Sequence, residues 1–367
     1  MLLQLNIDNL YSKALNQEYL NLEELVFLYK TAPLSSLMFV ANSIRKQKHK
    51  ENKVSWQIDR NINITNVCVA GCGFCNFSCK LSETSKTYTT TLEQYSEKIE
   101  ELFHKGGNQL LLQGGLHPNY GLNFYTTLFK NLKAKYNTLK LHALGPPEIA
   151  HIAHIENKSY KYILEKLIEA GLDSLPGAGA EILSNRVRKE LSPGKPNVEA
   201  WLDVMHEAHK LNLPTSATMM FGHIETIEER IQHMLLIRNL QDKKQESSYG
   251  FLAFICWPVQ SGGTKMAEKY DVKPVSASEY IRMVAICRIA LMNINNIQAS
   301  WLTVGKDTAQ ICLHAGANDF GSIMIEENVV SAAGANHKFD TDGMQNAIEE
   351  AGFEPWLRNQ KYESVKL

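Results

Sequence analysis

A chain of 367 residues, 44% of them hydrophobic, is long enough for a (β/α)8 barrel of about 250 residues with extensions and too apolar for disorder. A formal net charge of −1 excludes a global field that would recruit nucleic acid or an anionic membrane. No run approaches the ~20 uninterrupted apolar residues of a membrane span, and the opening MLLQLNIDNLYSKALNQ lacks the basic start and apolar stretch of a signal peptide. Seven cysteines, three of them crowded together, fit a metal site in a reducing compartment better than a disulfide framework, so a cytoplasmic protein is expected.

Residues 1–52 read as a helical N-terminal extension, with Leu22, Leu25, Val26, Leu28 and Tyr29 at helical spacing and the polar run RKQKHKENK closing it. Strand and helix signals alternate from there. INITNV (62–67) leads straight into the crowded cysteines. Thr91 and Gln94 pattern as a capping box, and Leu92, Tyr95, Ile99, Leu102 and Phe103 trace one helical face that Gly106-Gly107 ends. Strand candidates follow at 109–113, 139–144, 172–175, 214–220, 249–256, 297–302 and 321–325, with helical segments such as VEAWLDVMHEAHKL and EYIRMVAICRIAL between them. Eight strands alternating with helices predict one TIM-type (β/α)8 barrel over residues 53–335, followed by a helical tail over 336–367. A doubly wound open sheet is the alternative, since closure leaves no mark on the sequence.

The chemistry concentrates in CVAGCGFC, where Cys68, Cys72 and Cys75 stand at C-x3-C-x2-C spacing with the aromatic Phe74 before the third. Three thiolates can hold three irons of a cubane cluster and leave the fourth iron open to a substrate. Structural zinc is the rival reading, with Cys79 as a fourth thiolate. A zinc-stapled binding protein or a plain iron–sulfur electron carrier are the corresponding functions from other classes.

In a parallel barrel the site is built at the C-terminal ends of the strands, which turns the strand order into a shortlist. Gln113-Gly114-Gly115 follows the second strand, with His117 close behind, and paired glycines let a ligand approach the backbone. The third strand ends near His142 and Glu148, and the fourth leads to Glu181, Arg186 and Arg188. The fifth ends at His223 and Glu225, where a charged pair beside a glycine points to ligand or proton transfer. Cys256-Trp257, Trp301, and Glu326, Glu327 and Asn328 close the sixth to eighth strands. Cys287 and Cys312 fall on helical faces and read as small buried apolar residues.

Taken in order, the cysteine loop, QGG-x-H-P, HALGPPEI, GAEIL, MMFGHIET and the run SWLTVGKDTAQICLHAGANDFGSIMIEENVVSAAGA resemble the radical S-adenosylmethionine (SAM) superfamily, in its futalosine and deazaflavin branch. The resemblance covers about residue 55 onward. It implies a 4Fe–4S cluster on Cys68, Cys72 and Cys75, with SAM chelating the open iron. Phe74, Gln113, Gly114, Gly115, Glu181 and Arg186 become its candidate cofactor contacts. Where the superfamily's usual residue after the paired glycines is acidic, this chain has Leu116. The branch implies a 5′-deoxyadenosyl radical that takes a hydrogen from C4′ of a ribose in dehypoxanthine futalosine, followed by ring closure onto the benzoate for menaquinone biosynthesis. The neighbouring reaction in the same pathway, aminofutalosine synthesis, is the alternative, with the deazaflavin-forming tyrosine addition further off. Glu225 and His223 are the expected proton-transfer pair, and His117, His142, Glu326 and Glu327 the expected substrate contacts. Flavodoxin or ferredoxin is the implied electron donor.

Overall fold

The computed structural model describes residues 5–328, 330–334 and 337–365. Three helices come first, α1 (Ile7–Leu15), α2 (Leu22–Thr31) and α3 (Leu34–Lys48). Asparagines start the first two: the Asn6 side chain accepts from the Asp8 and Asn9 amides, and Asn21 makes a capping box with Glu24. The barrel then opens with β1 (Lys53–Gln57) and β2 (Asp59–Asn63), followed by α4 (Leu92–His104), β3 (Gln109–Gln113), α5 (Leu122–Lys135), β4 (Lys140–Ala143), α6 (Pro146–Glu156) and α7 (Tyr160–Ala170). Next are α8 (Asn185–Leu191), α9 (Val198–Lys210), β5 (Thr215–Phe221), α10 (Ile227–Asp242), β6 (Phe251–Pro258), α11 (Lys265–Lys269) and α12 (Ala277–Ala290). The chain finishes with β7 (Asn296–Gln298), α13 (Trp301–Val304), α14 (Lys306–Leu313), β8 (Asp319–Ser322), α15 (Thr341–Glu350) and β9 (Glu354–Leu357).

Every strand pairing among these elements is parallel, in the orders β5-β6-β7-β8-β1-β9 and β2-β3-β4. Two links join these sheets into a barrel. The chain passes directly from β1 to β2, and single bridges His142↔Ser174 and Leu175↔Thr215 carry the sheet from β4 to β5. The fourth barrel strand, predicted over 172–175, is therefore reduced to those bridges, because Pro176 lacks the amide that would extend the ladder. The first strand is likewise two pieces: β1 pairs with β8 and β9, and β2 with β3. Of the predicted seventh strand, residues 301 onward turn instead into α13.

Alternation sorts the strand residues. Leu110, Leu112, Ala217, Met219, Phe221 and Phe254 are fully buried toward the helical layer, while Leu111, Gln113, Ile255, Trp257 and Gln298 keep partial exposure on the opposite faces. The tail departs from the helical expectation. After α15 it adds β9 alongside β1, and residues 358–365 then cross the N-terminal end of the barrel, with Arg358 reaching Asp319 and Gln57, and Gln360 meeting Gln109 and His142. No helix among the described residues is long and apolar enough to cross a membrane.

Candidate active site around the cysteine loop

The cysteine loop leaves β2 and is strapped on every side by backbone. The Val69 amide donates to Leu116 O (3.0 Å), the Gly73 amide to Leu191 O (2.8 Å), and the amides of Gly194 and Met266 donate to Ala70 O and Gly73 O. Asn66 ties down the far limb, accepting from the Tyr88 amide (2.9 Å) and donating to Lys86 O (2.8 Å). Gly115 is required by the closeness of this packing: a Cβ there would lie 2.1 Å from Val67 O and 2.9 Å from the Cys68 Cβ. The paired glycines thus seat the loop. The Gly115 amide is spent on Thr65 O (2.8 Å), while the next amide, that of Leu116, points at the Cys68 sulfur (3.3 Å).

Cys68, Cys72 and Cys75 are half-buried free thiols. Burial pushes the Cys72 thiol up to about 12, with Glu181, Cys68 and Cys75 adding to the rise and Lys195 opposing it. The three sulfurs therefore sit within electrostatic reach of one another and beside a cation. Lys195 is half-buried, 2.7 Å from Glu181 Oε1 and 5.5 Å from the centre of the Phe74 ring. Burial works against its charge, yet the Cys72 thiol and the Glu181 carboxylate outweigh that cost and raise its pKa. Arg188 completes the cluster: it is buried, donates to Pro196 O, Gly179 O and Ala180 O, and lies 3.6 Å from Glu181 Oε2. Two buried polar atoms in this cluster, Glu181 Oε2 and Arg188 Nη2, have no hydrogen-bond partner among the described residues. An all-thiol donor set beside a fixed cation suits an anionic iron–sulfur cluster. Unmatched carboxylate and guanidinium atoms suit a zwitterionic ligand next to it. Cys79 lies beside the loop, its amide donating to Asn66 O, its carbonyl accepting from the Cys68 amide and its thiol 3.8 Å from Asn66 O.

Residues 62–237 match the radical SAM superfamily, and residues 248–367 match the CofH/MqnC C-terminal region. A cyclic dehypoxanthine futalosine synthase of Streptomyces coelicolor is 40% identical over 345 residues, covering 94% of this chain and 85% of that protein. The chain belongs to the radical SAM superfamily. It is a radical SAM enzyme, and its cofactors are a 4Fe–4S cluster and SAM. Another cyclic dehypoxanthine futalosine synthase, from Halalkalibacterium halodurans, is 38% identical over 362 residues, 99% of this chain and 96% of the other. A 5-amino-6-(D-ribitylamino)uracil–L-tyrosine 4-hydroxyphenyl transferase of Methanosarcina acetivorans is 37% identical over 320 residues, 86% of this chain and 83% of that one. Among solved structures, methylornithine synthase shares the fold at TM-score 0.72 and 19% identity, covering 96% of this chain and 98% of its own.

In this radical SAM enzyme the other expected site residues divide. Gln113 ends β3 in register with Asn63, half-buried and facing the barrel interior. Glu148 heads α6, buried, with its carboxyl near Gly145 and bonded by the Gly114 amide. Burial raises it to about 7, against the pull of its own backbone, Lys195 and Gly114. Arg186 lies elsewhere: half its side chain is exposed and it clamps Glu229 and Ile224 O on the rim. His117 stacks on Tyr120 at 3.6 Å between ring centres and accepts from the Asn119 amide, holding its own loop. His142 faces the closed end of the barrel, bonded to Ser174 Oγ (2.7 Å) and 3.5 Å from Gln360; burial and the Arg358 charge lower it to about 3.

His223 and Glu225 have no side-chain exposure. Glu225 accepts from the Gly222 and His223 amides (2.6 and 2.9 Å) and from Arg230 (2.7 Å), and His223 bonds Met220 O (3.0 Å). Burial opposes its charge, but His223 and Arg230 prevail and hold Glu225 at about 2. Such a saturated carboxylate braces the β5–α10 turn. Glu326 pairs with Arg60 and Lys98 on the helical side of the wall, and Glu327 caps the turn at Val330 and Ser331. Lys195 was not anticipated, because SPGKP reads as an exposed turn; the one hint is its position directly after the Glu181–Arg188 segment.

Proposed function

We propose that this enzyme closes dehypoxanthine futalosine to cyclic dehypoxanthine futalosine, with the cluster on Cys68, Cys72 and Cys75 and SAM lying against Glu181, Arg188 and Lys195. The observation that carries this reading is the near-full-length identity, 40% and 38%, to two synthases of that name. Once bound and reduced, the cofactors supply a 5′-deoxyadenosyl radical able to take a hydrogen atom from the substrate ribose. The chain's own tasks are positioning and proton handling. Lys195 and Arg188 offset the negative charge of thiolates and ligand carboxylate. Glu148, a buried carboxyl poised near neutrality at the mouth, is suited to accept the proton lost after ring closure, when the closed radical also gives up one electron to the one-electron chain that served the reaction. Glu225, already engaged by the Gly222 and His223 amides and by Arg230, is less suited. Seven free cysteines favour a cytoplasmic setting, and a flavodoxin or ferredoxin is the fitting one-electron donor.

The test is anaerobic. Protein reconstituted to about four irons per chain is given SAM, dithionite and dehypoxanthine futalosine, and products are read by mass spectrometry. Deoxyadenosine together with a product two hydrogens lighter than the substrate is expected. Deoxyadenosine without that product, but with turnover of 5-amino-6-(D-ribitylamino)uracil and tyrosine, would move the assignment to the transferase reaction named for the 37% relative.

A further inference from the structure

We infer that Asn61, a buried carboxamide one layer below the mouth of the barrel, is a specificity residue that hydrogen-bonds a sugar hydroxyl of the substrate; the inference rests on the reading above for the identity of that sugar. The face on which Asn61 lies is fixed by its neighbours. Asp59 bonds Gln57 in the first piece of its own strand, β1, and Ser322 on the neighbouring β8, and Asn63 accepts from Asn328 (3.1 Å) just beyond β8, whereas Arg60 reaches outward to Glu101 and Lys98 O on α4. With alternation along β2, Asn61 faces inward with Asp59 and Asn63. It is 4% exposed, and its side-chain oxygen has no hydrogen-bond partner among the described residues, although both flanking inward residues are satisfied. Buried polar atoms are normally paired, so an inward-facing orphan marks the place of a missing partner.

The interior beside Asn61 has room for one. Barrel cores are filled by layers of side chains. Here Leu111, directly in register with Asn61, and Gln113, in register with Asn63, keep partial exposure, as do Ile255, Trp257 and Gln298 on the other wall. The polar groups presented near this level are the amides of Asn61, Asn63 and Gln113, with the imidazole of His142, in register with Leu111, already bonded to Ser174 and kept neutral by burial. Carboxamides donate and accept without charge, which matches hydroxyls better than carboxylates or ammonium groups. A ribose answers that description, and so does the D-ribityl chain in the name of the 37% relative.

The test uses reconstituted holoenzyme with SAM and without reductant, so that binding is measured with no turnover. Calorimetric titration with dehypoxanthine futalosine is compared with analogues lacking one ribose hydroxyl. Wild type should bind one of the deoxy analogues about tenfold or more weakly, since a site built to bond a hydroxyl rejects the compound without it. Asn61→Leu should lose about as much on the full substrate and be indifferent to the deoxy analogue, with melting temperature and SAM affinity held. Wild-type affinity in Asn61→Leu, or undiminished discrimination by it, would overturn the inference and leave Asn61 bonded to water. A fall in melting temperature with equal weakening toward all compounds would also overturn it, by making Asn61 structural. If wild type binds the ribityl uracil and not dehypoxanthine futalosine, the cyclase reading fails. Asn61 is then judged by the same comparison on ribityl analogues.

Discussion

On the proposed reading each of the three loop cysteines carries one corner of the cluster, so none of them is dispensable. Cys68→Ala, Cys72→Ala and Cys75→Ala should each reduce bound iron and abolish SAM cleavage, whereas Cys79→Ala should keep both; iron analysis and deoxyadenosine release decide. Glu148 yields a prediction with a sign. A carboxyl with a pKa of about 7 acts as a base only when ionised, so turnover should rise as pH increases through about 7, and Glu148→Gln should flatten that rise and slow turnover by about 100-fold. A rise that persists in the variant would assign it to another group. The cysteine loop was legible as a candidate ligand set because its spacing crowds three thiols together after a strand. The arginine was not: Arg186 and Arg188 sit on a seven-residue helix, and nothing in the sequence says that Arg188 turns inward to Glu181 while Arg186 turns out to Glu229. Asn61 was missed for a related reason, since an asparagine in a strand carries no signal until its empty hydrogen-bond position is seen.

At the scale of elements, the site depends on how closely loops approach one another. Gly115→Ala puts a methyl group into the Val67 carbonyl, which is backbone and cannot swing aside. The cysteine loop should be displaced, and reconstituted iron should fall well below that of wild type while the far-ultraviolet circular dichroism is kept. The β5–α10 turn shows the opposite economy, with charge used for bracing. Glu225 has its pKa depressed in the folded chain, so its stabilisation is fully present above the unfolded value of 4.5 and is lost as pH falls toward about 2. Glu225→Gln should therefore destabilise the protein by about 3 kcal/mol at neutral pH, with the gap to wild type closing below about 4.5. Denaturant titrations at several pH values measure it, and a gap independent of pH would assign the loss to packing. Strand positions with strong apolar runs, such as 109–113 and 214–220, could be read directly. The broken first strand and the bridge-only fourth could not, because each depends on pairing partners far along the chain.

The whole molecule separates its chemistry from its closure. The cysteine loop, Glu181, Arg188 and Lys195 gather at one end of the barrel, whereas the opposite end is crossed by the tail, whose helical pattern hid β9 and the segment after it. The seal turns on Arg358, 5% exposed, which donates to both Asp319 carboxylate oxygens (2.5 and 3.0 Å) and stacks on Tyr362 at 4.0 Å. Burial opposes the Arg358 charge, and Asp319 more than restores it. Removing one partner of a buried pair leaves the other charge without compensation, at a cost of about 3–5 kcal/mol. Arg358→Met should thus lower the melting temperature by roughly 4–7 °C. Replacing both charges with apolar groups removes the stranded carboxylate, and Arg358→Met combined with Asp319→Leu should regain most of that loss. Both variants should load the cluster as wild type does, since the cysteine loop lies beyond the far ends of the strands. A double variant no more stable than the single one would mean that the pair holds the tail through geometry that apolar packing cannot replace. A loss of iron in either would mean that the two ends of the barrel are coupled through its strands.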